Sequence, residues 1–295
     1  MRQDGIPPAD RRFRPPKNPT ITASHHGRQE THVSGPRTGG GDSSPVTVFS
    51  TCTVDTVGPD VATCTLNLLR RLGFDARLVR GATCCGQPAW NSGFGTEARR
   101  VARRTVKALT RTEGPIIVPS GSCATMIVHH WAELFSGDRL ARSAAAVADR
   151  TEELSQFLDR RGLADSLPER TGDTASTTVH DSCHGLRGLG IKGESRRLLA
   201  AIGTPVTECG TAERCCGFGG TFSVKMPAVS AAMADEKLDD MVASGVSRVV
   251  GGDLSCLMQL EGRARRRGLD LEFRHLAEVL DGADPDQAAT EGDRR

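Results

Sequence analysis

The chain has 295 residues, of which 37% are hydrophobic and 25% charged, and its formal net charge at pH 7 is +2. This composition is typical of a globular protein with one large or two average domains. The small net charge and the lack of tyrosine disfavour a nucleic-acid or anionic-membrane surface. No apolar run approaches the length of a membrane span, and from the polar residues at the start we expect no secretory signal. We therefore predict a cytoplasmic protein, in which clustered cysteines serve metal or redox chemistry.

The first half of the sequence predicts alternating strands and helices. Residues 1–45 are rich in proline, arginine and glycine, and we expect a disordered tail there. Apolar residues at strand or helix spacing then predict a first lobe over 46–172. Its elements are a strand at 46–49, a helix at 61–72, a strand at 76–79, a helix at 97–110, a strand at 115–118, a helix around 127–134 and an amphipathic connector at 144–161.

The same order recurs in a second lobe over 173–281, before a second expected disordered tail at 282–295. Its predicted elements are a strand at 177–179, a helix at 195–202, a strand at 205–207, a helix at 228–243, a strand at 248–250, a last helix and a strand at 269–273. Alternating strands and helices predict parallel sheets covered by helices. The expected fold class is therefore α/β, with two pseudo-symmetric lobes of parallel-sheet βα units, each carrying one cysteine set.

Eight of the ten cysteines form these two matching sets. In each set, a lone cysteine precedes an adjacent cysteine pair by 31 intervening residues, and another follows after 37 or 39. A shift of 131 residues relates three of the positions, and a shift of 133 relates the fourth. This pattern indicates an internal duplication whose fixed feature is thiol placement. The sets are Cys52, Cys84, Cys85 and Cys123, and Cys183, Cys215, Cys216 and Cys256.

The cysteines follow predicted strand ends, where ligands of parallel sheets bind. Four thiolates repel one another unless a cation neutralises them, and metal binding deprotonates thiols. An iron–sulfur cluster and a zinc ion both fit such a set. The chain has no C-x-x-C pair of the zinc type, and adjacent cysteines suit separate irons better than one small ion. Gly86 and Gly217, which follow the pairs, permit close backbone approach or a positive φ. The pattern therefore favours a cluster.

The residues around the cysteines also resemble a known family. Two blocks of C-x31-C-C-G-x36–38-C resemble the duplicated CCG domain found in the cysteine-rich chain of heterodisulfide reductases and in glycolate oxidase iron–sulfur subunits. More closely, the sequence is similar to the lactate utilization protein A family over about residues 46–281. The matching segments are TCCGQPAWNSG at 83–93, PSGSC at 119–123, HDSCH at 180–184 and ERCCGFGGTFSVK at 213–225.

This resemblance implies an oxidoreductase subunit that is incomplete alone. It would carry an iron–sulfur cluster, of the 4Fe-4S or another type, in each lobe, with the eight cysteines as ligands and no assigned catalytic residue. It would transfer electrons with two partner subunits, one of them a ferredoxin-like iron–sulfur protein, and oxidise L-lactate, a small hydroxy acid, to pyruvate. The alternatives are a glycolate oxidase or heterodisulfide-reductase-like complex, a thiol–disulfide redox protein and a zinc-stapled scaffold.

Four further residues are candidate neighbours of the clusters. In the cysteine-rich chain of heterodisulfide reductases the last element of each block reads C-x-x-C. Here the earlier position is Ser120 in the first block and Asp253 in the second, and both are candidates for an oxygen ligand. His180 and His184 flank Cys183, where an imidazole either ligates iron or orients neighbouring groups through hydrogen bonds.

A G-x-G-x-x-G motif at 188–193, with Glu208 at the following strand end, resembles a dinucleotide-binding pattern. The glycines do not follow the predicted strand directly, and the first lobe has no such glycines at the equivalent place. We therefore do not predict a dinucleotide site.

Overall fold

The computed structural model describes residues 44–169 and 175–282, which we call the first and second lobes. The first contains β1 Pro45–Val48, α1 Cys52–Val57, α2 Pro59–Arg71, β2 Asp75–Leu78, α3 Gln87–Asn91, α4 Gly95–Leu109, β3 Ile116–Val118, α5 Gly121–Thr125, a π-helical turn Met126–His130, α6 Trp131–Leu134, α7 Ala141–Ala148, β4 Thr151–Glu153, α8 Leu154–Arg160 and a 3-10 turn Ala164–Ser166. The second contains β5 Thr177–His180, α9 Cys183–Leu189, α10 Gly193–Ala201, α11 Phe222–Lys225, α12 Pro227–Ala243, β6 Arg248–Gly251, α13 Leu254–Arg267, β7 Glu272–His275 and α14 Leu276–Asp281. Apart from residues 44, 45 and 282, the expected tails lie outside the described residues.

The two lobes carry parallel sheets of the same strand order. The first sheet has the order β2-β1-β3-β4 and the second β5-β6-β7, and all of these pairings are parallel. A single parallel bridge between Thr177 and Val206 takes the place of the first sheet's outer strand. The prediction of an α/β fold with repeated parallel-sheet units is confirmed. Across both described ranges, none of the helices has the length and apolar composition needed to cross a bilayer.

One hydrophobic cluster joins the two sheets. It contains Val46 and Val48 from β1 together with Val179 from β5 and Val250 from β6. The C-terminal helix α14 packs on α2 of the first lobe, and α10 packs on α8. A strand that is covered on both faces needs apolar residues at every position, and all three residues of β3, Ile116–Val118, are apolar and buried. This shared core fixes the two sheets against each other.

Three of the differences from the sequence-based prediction concern the strands. The expected connector over 144–161 is interrupted by β4, which pairs with β3 and so covers an otherwise open sheet edge. The expected strand at 205–207 forms only a bridge, since Pro205 has no N–H to donate. The expected strand at 269–273 begins only at Glu272, where pairing with Arg248 starts, and α14 then follows it.

The junction of β4 and α8 predicts a pH dependence of stability. The buried carboxylate of Glu153 accepts hydrogen bonds from the backbone N–H groups of Ser155 and Gln156. Burial raises the pKa of Glu153 to about 7, although these hydrogen bonds lower it. Because folding raises the pKa of Glu153, this carboxyl ionises less readily in the folded protein than in the unfolded chain. Its contribution to stability is therefore fully present below the unfolded pKa of about 4.3 and is lost as the pH rises through the folded pKa.

We expect the free energy of unfolding to fall by roughly 2 kcal/mol between about pH 5 and pH 8, relative to a Glu153→Gln variant. Urea unfolding of both proteins across this range measures the difference, because the other titrating groups are common to both. Parallel pH profiles of the two proteins would contradict the prediction.

Candidate metal centres

The four cysteines of the first set converge at the carboxyl end of the first sheet. Cys52 begins α1 directly after β1, and the pair lies in the loop between β2 and α3, while Cys123 lies in α5 after β3. The Sγ atoms of Cys52 and Cys84 are 4.0 Å apart, and those of Cys85 and Cys123 are 3.2 Å apart. Cys85 and Cys123 are buried, and the other two are half-buried. One side of the set therefore faces the core and the other faces the surface.

The second set repeats this arrangement. Cys183 begins α9 directly after β5, the pair precedes α11, and Cys256 lies in α13 after β6. The ligand atoms of Cys216 and Cys256 lie within 4.8 Å of each other, and the pKa values of Cys183, Cys215 and Cys216 are shifted by neighbouring thiols of the set. Cys216 and Cys256 are buried, and the other two are half-buried. The structure thus brings together the members of each predicted set, while their role as metal ligands stays a prediction.

One sulfur in each set is held as an anion by the others. The thiol of Cys52 donates to Cys84, which lowers the pKa of Cys84 to about 3 and raises the pKa of Cys52 above its ordinary value. In the second set, donation from Cys183 lowers the pKa of Cys215 to about 2. Hydrogen bonding to Cys123 and burial raise the pKa of Cys85. Complete ionisation of either set therefore needs a cation among the sulfurs.

The glycines after the two pairs hold the cysteine loops against helices. Gly86 and Gly217 have φ values of +93° and +86°, and their N–H groups lie 3.3 and 3.4 Å from the sulfurs of Cys84 and Cys215. A Cβ atom at Gly86 would lie 2.8 Å from the carbonyl oxygen of Ala98 in α4. The corresponding atom at Gly217 would lie 2.6 Å from a carbonyl oxygen of α12. Both positions therefore require glycine.

Gly86→Ala and Gly217→Ala should each lower the free energy of unfolding by about 2–3 kcal/mol. A left-handed conformation costs a non-glycine residue roughly 1–2 kcal/mol, and the clash with a backbone carbonyl adds to this cost. Gly81→Ala is the matched control, because Gly81 has a φ of +79° and its added Cβ meets no described atom within 4 Å. Denaturant unfolding measures the three values. Equal losses in Gly86→Ala and Gly81→Ala would contradict the clash.

A buried carboxylate connects the two lobes between the cysteine sets. Ser120 caps α5, and Asp253 caps α13. The Ser120 hydroxyl and the Ser122 N–H donate to one oxygen of Asp253 at 3.0 and 2.9 Å, and Ser255 donates to the other oxygen. Burial raises the pKa of Asp253, but these hydrogen bonds outweigh it and hold the pKa below its ordinary value. The two side chains expected as oxygen ligands are thus engaged with each other.

The two candidate histidines lie on different sides of the second set. His184 Nδ1 is 3.5 Å from Cys183 Sγ, and its Nε2 is 3.3 Å from the side-chain nitrogen of Gln87 in the first lobe. His180 ends β5, and a ring nitrogen lies within 4.8 Å of the sulfurs of Cys216 and Cys256. Burial lowers the pKa of His180 to about 3, so its imidazole is neutral. His184 therefore links the lobes, whereas His180 faces the buried sulfurs.

Three residues that the sequence did not single out as site residues support the cysteine loops. Trp131 donates to the carbonyl oxygen of Cys85 at 2.9 Å, and Thr105 donates to that of Cys84 at 2.8 Å. Lys237, which is fully buried, donates to two carbonyl oxygens in the loop before the second pair. Thr105 and Lys237 lie among apolar residues on the inward faces of α4 and α12. In the sequence, a polar residue within the apolar stripe of a helix is the pattern that could have identified Thr105 and Lys237.

The remaining sequence features have structural roles. A Cβ atom at Gly188 would lie 2.5 Å from Thr125, so this glycine permits the close packing of α9 on α5. Gly190 ends α9 in a left-handed conformation. The G-x-G-x-x-G motif therefore serves helix packing and helix termination. Cys64 and Cys209 are buried in separate hydrophobic clusters.

A small cavity of about 40 Å³ adjoins the first set. Its lining includes Cys52, Cys85 and Cys123 from the first lobe, and Phe218 and Leu254 from the second. The first set therefore adjoins a space that residues of both lobes line.

The chain matches a known domain family and is similar to proteins of known name. The CCG cysteine-rich domain matches residues 46–128 and 177–261. "Lactate utilization protein A" of Macrococcus caseolyticus (strain JCSC5402) is 42% identical over 238 residues, covering 80% of this chain and 95% of the relative. "Lactate utilization protein A 2" of Bacillus cereus (strain Q1) is 39% identical over 241 residues, covering 80% and 97%.

A solved structure shares the fold. The crystal structure of a hypothetical protein from Helicobacter pylori aligns with a TM-score of 0.57 at 8% identity. The alignment covers 83% of this chain and 51% of that protein. At this level of identity the similarity concerns the fold alone.

Proposed function

Because the chain belongs to the lactate utilization protein A family and carries the CCG cysteine-rich domain twice, we propose that it is an iron–sulfur electron-transfer subunit of a complex that oxidises L-lactate to pyruvate. The observation that supports the proposal most directly is the convergence of four thiols at one sheet end in each lobe. The proposed location is the cytoplasm.

The donor sets fit iron–sulfur clusters. Each set offers four neighbouring sulfurs, and their complete ionisation needs a cation. Adjacent cysteines can bind separate irons of a cluster, and thiolates are the usual ligands of such clusters. The eight cysteines of the two sets would hold the clusters, one in each lobe. When bound, a cluster supplies a group that accepts and releases single electrons.

The protein surroundings can adjust these centres. The N–H groups of Gly86 and Gly217 point to sulfurs of the two sets, and hydrogen bonds to cluster sulfurs influence the reduction potential. Cys52 and Cys183 are half-buried, which places each set close enough to the surface to exchange electrons with another protein. In the proposed complex the partners are two further subunits, one of them ferredoxin-like, and the substrate is a small hydroxy acid. The oxidation of that substrate is shared with these chains.

Metal analysis of anaerobically purified protein tests the proposal. We expect a brown protein that contains iron and acid-labile sulfide, with EPR signals after reduction. Protein without iron and sulfide would overturn the proposal. Metal-free protein that loses free thiols on mild oxidation would support a thiol–disulfide protein, and zinc without iron would support a scaffold. With the partner subunits present, reduction of the clusters by L-lactate rather than glycolate would distinguish the two related oxidases.

A further inference from the structure

His180 is a buried histidine without a hydrogen-bond partner. Its residue surface is only 2% exposed, and neither ring nitrogen has a partner among the described residues. A neutral imidazole carries one donor and one acceptor, and leaving such groups unpaired in a protein interior is unfavourable. A second observation shows what this side chain faces: its nitrogen and the sulfurs of Cys216 and Cys256 lie within 4.8 Å of one another.

From this juxtaposition we propose that His180 binds an iron of the second centre through a ring nitrogen, in addition to the four cysteines. A metal–sulfur bond of about 2.3 Å and a metal–nitrogen bond of about 2.0 Å place two ligands of one ion no more than roughly 4.3 Å apart. The three ligand atoms lie within 4.8 Å of one another, a range that includes this limit, whereas ligands of different irons in one cluster lie farther apart. Iron ligation would also give the acceptor nitrogen of the imidazole a partner.

The first lobe cannot form the same bond. The shift of 131 residues that relates Cys52 to Cys183 also relates Phe49 to His180. Phe49 is fully buried and has no ligand atom. The two centres would therefore differ in kind, with cysteine ligands alone in the first lobe and an added imidazole in the second. This inference depends on the proposed function only in requiring that the second lobe binds iron.

A buried water is the alternative partner. His180 lines a cavity of about 20 Å³ together with Gly121 and Glu153. This volume is sufficient for a single water molecule, which could pair with one nitrogen of the ring. The experiment must therefore detect the iron–nitrogen bond itself rather than an effect on activity.

Pulsed EPR of the reduced, full-length protein labelled with nitrogen-15 histidine provides this measurement. A bound imidazole gives a strong hyperfine coupling that changes with the isotope, and we expect the unsubstituted protein to show it. His180→Phe, which reproduces the residue of the first lobe, should lose the coupling and keep the signal of the first centre. His184→Gln is the control and should retain the coupling, since His184 also adjoins the second set.

The possible outcomes separate this inference from the proposed function. Iron and sulfide without histidine coupling in the unsubstituted protein would overturn the ligation and leave water as the partner. Coupling that survives in His180→Phe but disappears in His184→Gln would overturn the assignment to His180. Protein without iron would instead overturn the proposed function. Because the absence of coupling in the labelled, unsubstituted protein would by itself overturn the ligation, the inference can fail whether or not a variant folds.

Discussion

Cys85→Ser and Cys216→Ser are each expected to remove one of two iron–sulfur signals and about half of the bound iron. Each residue is the buried member of its pair, and each contacts the last cysteine of its set. Serine retains the size of the side chain but replaces the thiolate, which is the preferred ligand of these clusters. Iron and sulfide analysis together with EPR of the anaerobically purified variants measures the losses.

Cys64→Ser and Cys209→Ser are matched controls. Both cysteines are buried, as Cys85 and Cys216 are, but they lie outside the two sets. Both variants should keep the full iron content and lose only about 1–2 kcal/mol of stability, because a hydroxyl replaces a buried thiol. Full iron content in both Cys85→Ser and Cys216→Ser would contradict the ligand assignment. Loss of both signals in either variant would contradict two independent centres.

The sequence was sufficient to predict where the cysteines meet. Each lone cysteine follows a strand of recognisable composition, and the carboxyl ends of neighbouring parallel strands lie at one edge of a sheet. Thiols separated by 31 or more residues therefore converge. The helices that begin at Cys52 and Cys183 were not predicted, because α1 is short and its only buried residue is Val54, too little for an apolar stripe.

The contacts between the lobes could not be predicted from the repeat. A periodic pattern shows that Ser120 and Asp253 occupy corresponding positions, but it does not show that two such positions face each other. Their contact depends on how the two sheets pack through the shared core. Lys237 was also missed, since a lysine in a helix is ordinarily exposed, and only the structure shows its carbonyl partners.

Asp253→Ala should lower the free energy of unfolding by about 3 kcal/mol. The substitution removes the cap of α13 and leaves buried donors of Ser120 and Ser122 without their acceptor. Ser120→Ala removes one of these hydrogen bonds together with the cap of α5 and should cost about 2 kcal/mol. Asp270→Asn, a change at an exposed carboxylate, should cost less than about 0.5 kcal/mol. Anaerobic urea unfolding of the metal-loaded proteins compares them.

The charge of Asp253 gives this contact a pH dependence. Because the folded pKa of Asp253 lies below its unfolded value of about 3.9, its contribution is present above that value and is lost as the pH falls through the folded pKa. The difference in stability between the unsubstituted protein and Asp253→Asn should therefore shrink on acidification. A double-mutant cycle with Ser120→Ala isolates the contact between the lobes. Additive losses at neutral pH would show that the two side chains do not interact.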